Sequence, residues 1–200
     1  MTYSEALQIL QNTSPLRITV SGDIGSGKST FAKRLAQELN IPRVYAGGLF
    51  REKAQELGIT LDELNARLEK DDTLDREIDE KQRTKAREHD RIISEGRTAW
   101  YFVENPDVKV FLAVNPQTAA QRIWDDTSDN RDRYGSIEEL AQANIDRKAS
   151  EEKRYQRYYG ISAYDRSNFD VVIDTTNLSI QEVFETTLVA IAQHARSQNT

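Results

Sequence analysis

Short runs of β-branched and aliphatic residues alternate with longer segments of helical periodicity along this chain. The short runs lie at residues 16–20, 41–45, 91–94, 108–113 and 170–174. After the first run, Phe31, Leu35 and Leu39 recur at four-residue spacing, which predicts an amphipathic helix. Strands that alternate with helices in this way predict an α/β domain with a central parallel sheet.

Capping residues mark where several of the helices should begin. Ser4 can cap a first short helix, and residues 60–63, Thr-Leu-Asp-Glu, form a capping box. Asn115 followed by proline opens a later helix, and Ser179 caps a terminal one. A long polar helix, whole or broken, is expected at residues 137–159. The two long polar helical stretches therefore follow the second and fourth strands.

Composition limits the classes of function that remain open. A chain of 200 residues with 38% hydrophobic content can bury one core, so we expect a single domain. The net charge of −6 argues against binding to nucleic acid or to an acidic membrane. There is no Cys, and the two His residues have no partners at metal-ligand spacing. Residues 1–14 lack the pattern of a secretory signal, so we expect a cytoplasmic protein. We also expect a monomer.

The pattern G-x-x-x-x-G-K-[ST] occurs at residues 22–29, between the first strand and the first long helix. Its glycines let backbone N–H groups turn inward around an anion, and the new helix adds the positive end of its dipole. Lys28 can then reach the outer phosphates of a nucleoside triphosphate, and Ser29 can offer its hydroxyl to Mg²⁺. The alternative is a glycine turn that contains Lys and Ser by coincidence. The flanking strand and helix favour the phosphate-binding interpretation.

Further candidates lie where the second and third strands end, which is where ligands bind in α/β domains. Arg51 follows a small-residue stretch at 46–48 and either projects toward a ligand or is a surface arginine after a tight turn. Glu95 can hold Mg²⁺ through water opposite Ser29. Arg97 could clamp an acceptor phosphate with its planar guanidinium fork.

One polar helix face after the second strand has two interpretations. Asp75, Asp79 and Gln82 share this face at offsets of four and three. Most such faces are merely solvated. The alternative is that they read a base edge, because a carboxylate accepts from an exocyclic amine and an amide serves a neighbouring ring nitrogen or carbonyl.

A second charged face lies on the helix predicted at 137–159. Arg147, Glu151 and Arg154 recur there at i, i+4 and i+7. They form either an exposed salt-bridge ladder or a cationic lid that folds over phosphates. The nearby tyrosines, Tyr155 among them, are expected to pack the base of this lid.

Five segments carry a resemblance to a known family. They are AGGLFRE at 46–52, DREID with the following Gln at 75–82, EGR at 95–97, RKASEEKRY at 147–155 and VVIDT at 171–175. With the motif at 22–29, they make the chain similar to the archaeal-type cytidylate kinases, which are P-loop nucleoside monophosphate kinases. The likeness extends over roughly residues 16 to 192.

The resemblance implies a three-layer P-loop NTPase fold. Its five-stranded parallel sheet would have the order 2-3-1-4-5, flanked by helices. A single kinase domain would span residues 1–200, with the core formed by 15–46, 90–124 and 168–196. The acceptor-binding segment would be residues 47–89, and the lid would be residues 125–167.

Roles for individual residues follow from the same resemblance. The ATP phosphates would be held by Gly22, Asp23, Ile24, Gly25, Ser26, Gly27, Lys28, Ser29 and Thr30. Arg122 would also contact ATP, and Mg²⁺ would sit between Ser29 and Glu95. Arg51 and Arg97 would bind the acceptor phosphate. The transferring group would be met by Arg147 and Arg154.

Two further residues complete the implied acceptor site, and two positions depart from the family pattern. Gly47 would approach the acceptor, and Glu151 matches a lid acid that contacts the acceptor ribose in bacterial relatives. Residues 28–29, Lys-Ser, replace the Thr-Thr often found in the archaeal loop and restore the general P-loop lysine. Residues 45–46, Tyr-Ala, replace the Asp-Ser of bacterial enzymes.

The implied activity is ATP- and Mg²⁺-dependent phosphorylation of a nucleoside monophosphate, with CMP or dCMP as the expected acceptor. Nucleotides would be the only partners. The alternatives are a kinase for UMP, AMP or dTMP, or a non-catalytic ATP-binding regulator. A GTP switch would need a guanine-reading N-K-x-D segment, and the sequence contains none.

Overall fold

The computed structural model describes residues 1–68, 73–126 and 134–198. Within them, the strands are β1 (Leu16–Gly22), β2 (Arg43–Tyr45), β3 (Arg91–Glu95), β4 (Val108–Ala113) and β5 (Val171–Asp174). All four neighbouring pairs are parallel, and the order is β2-β3-β1-β4-β5. The predicted α/β class and strand order are confirmed.

Helices cover both faces of this sheet. In chain order they are α1 (Tyr3–Asn12), α2 (Lys28–Leu39), α3 (Ala46–Leu57), α4 (Leu61–Leu68), α5 (Thr73–Arg87), α6 (Ala99–Phe102), α7 (Pro116–Trp124), α8 (Ile137–Tyr159) and α9 (Ile180–Gln198). The helix α8 is continuous, so the alternative of a broken helix is wrong. No helix of the described residues is long and apolar enough to cross a membrane.

The predicted caps hold at three helices and fail at the first. Thr60 and Glu63 exchange the two bonds of a capping box before α4. Asn115 accepts from the backbone of Thr118 at the start of α7, and Ser179 caps α9. At α1, however, the cap is Thr2 rather than Ser4. Glu5 lies three residues after Thr2 and completes a capping box. Ser4 cannot form one, because the residue three positions after it is Leu7.

The largest apolar core lies on one face of the sheet. There α1, α2 and α9 pack on β1 and β4, and Leu10, Ile18, Leu35, Leu112 and Leu188 have no exposed surface. Smaller apolar clusters lie on the opposite face, beneath α5 and α6. Two helical layers with a sheet between them are the three layers expected of this fold.

The parallel register brings the carboxyl ends of three strands together. Residue Val20 of β1 lies beside Glu95 of β3, which in turn lies beside Tyr45 of β2. Polar residues that follow these strands therefore meet at one edge of the sheet. The division into core, acceptor-binding segment and lid stays a prediction. Residues 69–72 and 127–133, which belong to the last two, lie outside the described residues.

Candidate active site

The phosphate loop runs from the end of β1 to the start of α2. Gly25 has φ +75°, and a Cβ there would lie 2.8 Å from the carbonyl oxygen of Ala119. Gly27 caps α2 in the left-handed region, with φ 84°. Both positions thus favour glycine, one through close approach and both through backbone conformation. Gly25 and Gly27 of the loop, together with the amino end of α2, line one cavity, where such an end can attract an anion.

Lys28 lines this cavity at the first position of α2. Its Nζ donates to the carbonyl oxygen of Asp23 at 3.3 Å. Burial and repulsion from Arg97 lower the pKa of Lys28, the carboxylate of Glu95 opposes both, and the resulting pKa is about 7. The ammonium therefore lacks a full counter-charge in the protein alone, which is the condition that a bound phosphate would correct.

Ser29 and Glu95 lie where the metal is expected. The Ser29 hydroxyl donates to Glu95 Oε1 at 2.5 Å, and Glu95 has no exposed surface. The other oxygen, Oε2, is buried without a hydrogen-bond partner, and its nearest cation is Arg43 at 3.5 Å. An orphaned carboxylate oxygen beside a hydroxyl fits Mg²⁺, which prefers hard oxygen ligands and keeps several waters.

Among the described residues, no cluster of three or more His, Cys, Asp or Glu side chains could hold an ion. The donor set at Ser29 and Glu95 is therefore incomplete by itself. It suits a cation that arrives with phosphate oxygens.

Arg51 and Gly47 both line the cavity from α3. The helix begins at Ala46, so Gly47 lies in its first turn and the interpretation of a tight turn is wrong. The ring of Tyr45 packs closely against this turn: a Cβ on Gly47 would lie 2.8 Å from the ring. Arg51 donates to the Tyr45 hydroxyl. The arginine is thus held at the cavity rather than free on the surface.

Arg97, Glu151 and Arg147 form one ion cluster across the cavity. Arg97 Nε donates to one Glu151 oxygen and Arg147 Nε to the other, each at 2.9 Å. The Tyr164 hydroxyl also donates to Glu151. Burial alone would raise the pKa of Glu151, but the two guanidinium groups outweigh it and hold that pKa well below its usual range. The carboxylate keeps two cations at the place expected for phosphates.

Arg154 does not lie on an exposed ladder. Its Nε is 2.8 Å from Asp75 Oδ2, and the two side chains are 3% and 1% exposed. This pair joins α8 to α5, the helix of the acceptor-binding segment. Arg147, Glu151 and Arg154 share one face of α8, as predicted, and all three line the cavity. The alternative of an exposed salt-bridge ladder is wrong, because Glu151 and Arg154 are buried.

Asp79 is a buried carboxylate in the cavity wall. Its two oxygens accept from Thr98 Oγ1 at 3.3 Å and from the Tyr159 hydroxyl at 2.7 Å. Burial raises the pKa of Asp79 to about 7, with the nearby Asp75 adding to the shift and the hydrogen bonds opposing it. Asp75, Asp79 and Gln82 are all buried, so the interpretation of a solvated face is wrong.

Gln82 supports the end of β3 from below. Its amide donates to Ser94 Oγ at 3.1 Å and to the carbonyl oxygen of Glu95 at 3.0 Å. A Cβ on Gly96 would lie 3.0 Å from the same amide. The side chain thus lies beneath Gly96, one layer behind the cavity wall to which Asp79 belongs.

A second cavity of about 490 Å³ lies on the other side of the phosphate loop. Its walls include Gly25, Thr30, Arg122 and Ile180. Arg122 donates to the carbonyl oxygens of Thr175 and Leu178, which fixes its guanidinium against the loop before α9. Arg122 and the phosphate loop therefore share a wall, as expected for two parts of one nucleotide site.

Several side chains at the site escaped the sequence analysis. Tyr164 bonds Glu151, Thr98 bonds Asp79, and Arg43 donates to the carbonyl oxygen of Ser29. Each acts through a partner that is distant in sequence, so spacing carries no signal for it. A fourth side chain, Lys148, follows Arg147 on α8. The charge pattern of that helix could have indicated it.

Comparison with known proteins agrees with this geometry. The sequence profile of the cytidylate kinase-like family matches residues 17–177. The chain belongs to the cytidylate kinase-like family. It is 39% identical over 179 residues to the cytidylate kinase of Natronomonas pharaonis, covering 88% of this chain and 90% of that protein. It is 37% identical over 177 residues to the cytidylate kinase of Pyrococcus horikoshii, covering 88% of each.

Solved structures agree on the fold. A gluconokinase from Sinorhizobium meliloti has a TM-score of 0.61 at 16% identity, covering 92% of this chain and 96% of that one. A shikimate kinase from Bacteroides thetaiotaomicron has a TM-score of 0.57 at 17% identity, covering 92% and 98%. These structures show the P-loop kinase fold alone, whereas the family match and the curated relatives show that this chain is an enzyme, a kinase.

Proposed function

We propose that this kinase transfers the γ-phosphate of ATP to a nucleoside monophosphate, with CMP and dCMP as its preferred acceptors. The observation that carries the proposal is a single cavity whose walls combine Lys28 and Ser29 of the phosphate loop with Arg51, Arg97 and Asp79. Cations on both sides of one space suit two phosphate chains that must meet. The cytidylate kinase names of the relatives support the choice of acceptor.

The chain's own residues supply positions and charge. An oxygen of the acceptor phosphate attacks the γ-phosphorus, the bond to the β-phosphate oxygen breaks, and ADP leaves; no covalent enzyme intermediate is needed. Lys28 and the loop N–H groups hold the donor phosphates. Arg51 and Arg97 hold the acceptor phosphate, and Arg147 and Arg154 meet the charge that develops during transfer.

Ser29 and Glu95 would hold Mg²⁺ on the loop side of the cavity. When bound, the ion supplies positive charge to the donor phosphates and fixes their orientation. Glu95 is itself held by Arg43 and by the Ser29 hydroxyl. The ligands are therefore fixed in place before any nucleotide binds.

Asp79 is our candidate for reading the acceptor base. A cytosine edge offers an exocyclic amine as donor and a ring nitrogen as acceptor. With its pKa raised to about 7, Asp79 exists in both protonation states near neutral pH, so it can accept from the amine and also donate to the ring nitrogen. The lid acid Glu151 would meet the acceptor ribose after its arginines engage phosphate.

The deciding experiment measures ADP production with CMP, dCMP, UMP, AMP, GMP and dTMP, next to a control without acceptor. We expect kcat/KM to be highest for CMP and dCMP. A highest value for UMP, AMP or dTMP would keep the kinase and change its acceptor. ATP binding without ADP production from any acceptor would instead favour the non-catalytic regulator.

A further inference from the structure

The mechanism above makes no use of an ion pair between the lid helix and the phosphate loop. Lys148 Nζ of α8 donates to Asp23 Oδ1 at 2.6 Å. The second Asp23 oxygen accepts from the backbone N–H of Val114 at 3.2 Å. Asp23 is only 6% exposed, so its carboxylate is held in place on two sides.

Lys148 is fixed by a second contact. Its Nζ lies 4.6 Å from the centroid of the Tyr164 ring, a distance at which cation–π attraction operates. The same Tyr164 donates its hydroxyl to Glu151. The lysine thus bonds to the loop on one side and packs on the other against the aromatic ring that supports the arginine cluster.

The position of Asp23 poses an electrostatic problem for a phosphate site. It is the second residue of the phosphate loop, and Lys28 donates to its carbonyl oxygen. A buried carboxylate there repels the phosphate oxygens that the loop must bind, and low local dielectric strengthens that repulsion. Lys148 removes it by placing an ammonium 2.6 Å from the carboxylate.

Neutralisation depends on where the lid helix lies. Asp23 belongs to the loop after β1 and is bonded to the backbone of Val114, whereas Lys148 belongs to α8, 125 residues later in the chain. Only when α8 is docked on the loop does the ammonium reach the carboxylate. The loop therefore presents less negative charge to a nucleotide when the lid is docked than when it is not.

We propose that Lys148 is a positioning residue that couples docking of the lid helix to ATP binding by neutralising Asp23. The identity of the ligand as ATP rests on the proposed function; the coupling rests on the ion pair. Because the lysine acts through Asp23 and not on phosphate directly, its loss should matter only while residue 23 carries a charge.

A double-mutant cycle tests this dependence. ATP dissociation constants are measured by calorimetry with Mg²⁺ for the full chain, Lys148→Met, Asp23→Asn and the double variant. We expect Lys148→Met to weaken ATP binding about tenfold, the scale of one lost charge-assisted hydrogen bond. In the Asp23→Asn background the same substitution should change binding by less than about twofold. An equal loss in both backgrounds would overturn the proposal and place Lys148 on the phosphates.

Two further variants keep the test independent of folding and of the reaction. Lys148→Arg retains the charge and should bind ATP like the wild type. Lys153→Met removes an exposed lysine from the same helix and should change neither binding nor melting temperature. ADP production is recorded separately: a wild type that binds ATP but phosphorylates no acceptor refutes the proposed function, while the cycle still decides the coupling.

Discussion

Lys28 lies in the cavity among other cations, and this determines what its removal should do. Lys28→Ala removes the ammonium group proposed to hold the outer phosphates, so we expect kcat to fall by roughly 10²–10³-fold. The fold should survive, because a lysine whose pKa is lowered adds no stability near neutral pH. Turnover and circular dichroism together check this. Near-wild-type turnover would show that the loop is not the phosphate site.

The lowered pKa of Lys28 also predicts a proton linkage. With a pKa of about 7, against an ordinary value of 10.5, the lysine is largely neutral at pH 8 in the free protein. Phosphate favours the ammonium, so ATP binding should take up close to one proton at pH 8 and weaken as pH rises above 7. Without nucleotide, the unfolded chain binds more protons between pH 7 and 10.5, so the free energy of unfolding should rise across that range.

Calorimetry in two buffers of different ionisation enthalpy measures this uptake. The matched control is Lys28→Arg, whose guanidinium stays charged and should take up no proton. Arg97, Arg147, Glu95 and Glu151 also act on the lysine, and all four are present in both proteins. Equal proton uptake by both proteins would assign the linkage to another group.

Asp79 carries the prediction about the acceptor base. Replacement by asparagine keeps the shape but removes one acceptor and the exchangeable proton, so Asp79→Asn should lower the ratio of kcat/KM for CMP to that for AMP about tenfold. ATP affinity should stay unchanged. The neighbouring exposed carboxylate offers a control, and Glu80→Gln should leave the ratio as it is. An unaltered ratio in Asp79→Asn would remove this residue from the base site.

At the scale of elements, periodicity and caps predicted the five strands and most of the long helices, while the order of the strands followed from the family resemblance. They could not distinguish buried from exposed charge. Asp75 and Arg154 each lie on a helix whose sequence pattern is polar and typical of a solvated helix. In the structure they are buried where α5 and α8 meet. Contacts between elements far apart in sequence, such as Lys148 with Asp23, left no periodic signal.

The ion pair between Asp75 of α5 and Arg154 of α8 makes the prediction about Arg154 in the lid more specific. Arg154→Ala should lower kcat, and because it removes a cation 2.8 Å from a buried carboxylate, it should also reduce the free energy of unfolding by about 3–5 kcal/mol. Lower stability alone thus cannot separate a lid from a structural pair. The double variant Asp75→Asn/Arg154→Ala should regain much of the stability without regaining kcat. Recovery of both, measured by denaturant unfolding and turnover, would make Arg154 purely structural.

At the scale of the whole molecule, the helix α1 and the nucleotide cavities lie at opposite ends of the strands. The cavities lie at the carboxyl ends of the strands. The helix α1 is instead tied to the start of β3, where Arg91 donates to the carbonyl oxygens of Leu10 and Gln11. The helix α1 therefore supports the fold away from the nucleotide cavities, neither of which it lines.

This separation predicts that a defect under α1 weakens the fold without altering the chemistry. Leu10 has no exposed surface and packs with α9, so Leu10→Ala should cost about 2–5 kcal/mol of unfolding free energy through lost burial and a residual cavity. At a temperature well below its lowered Tm, kcat and both KM values should equal those of the wild type. Gln8→Ala, on the exposed side of the same helix, should change neither quantity. A change in KM for Leu10→Ala in the folded protein would show that α1 communicates with the nucleotide site through the sheet.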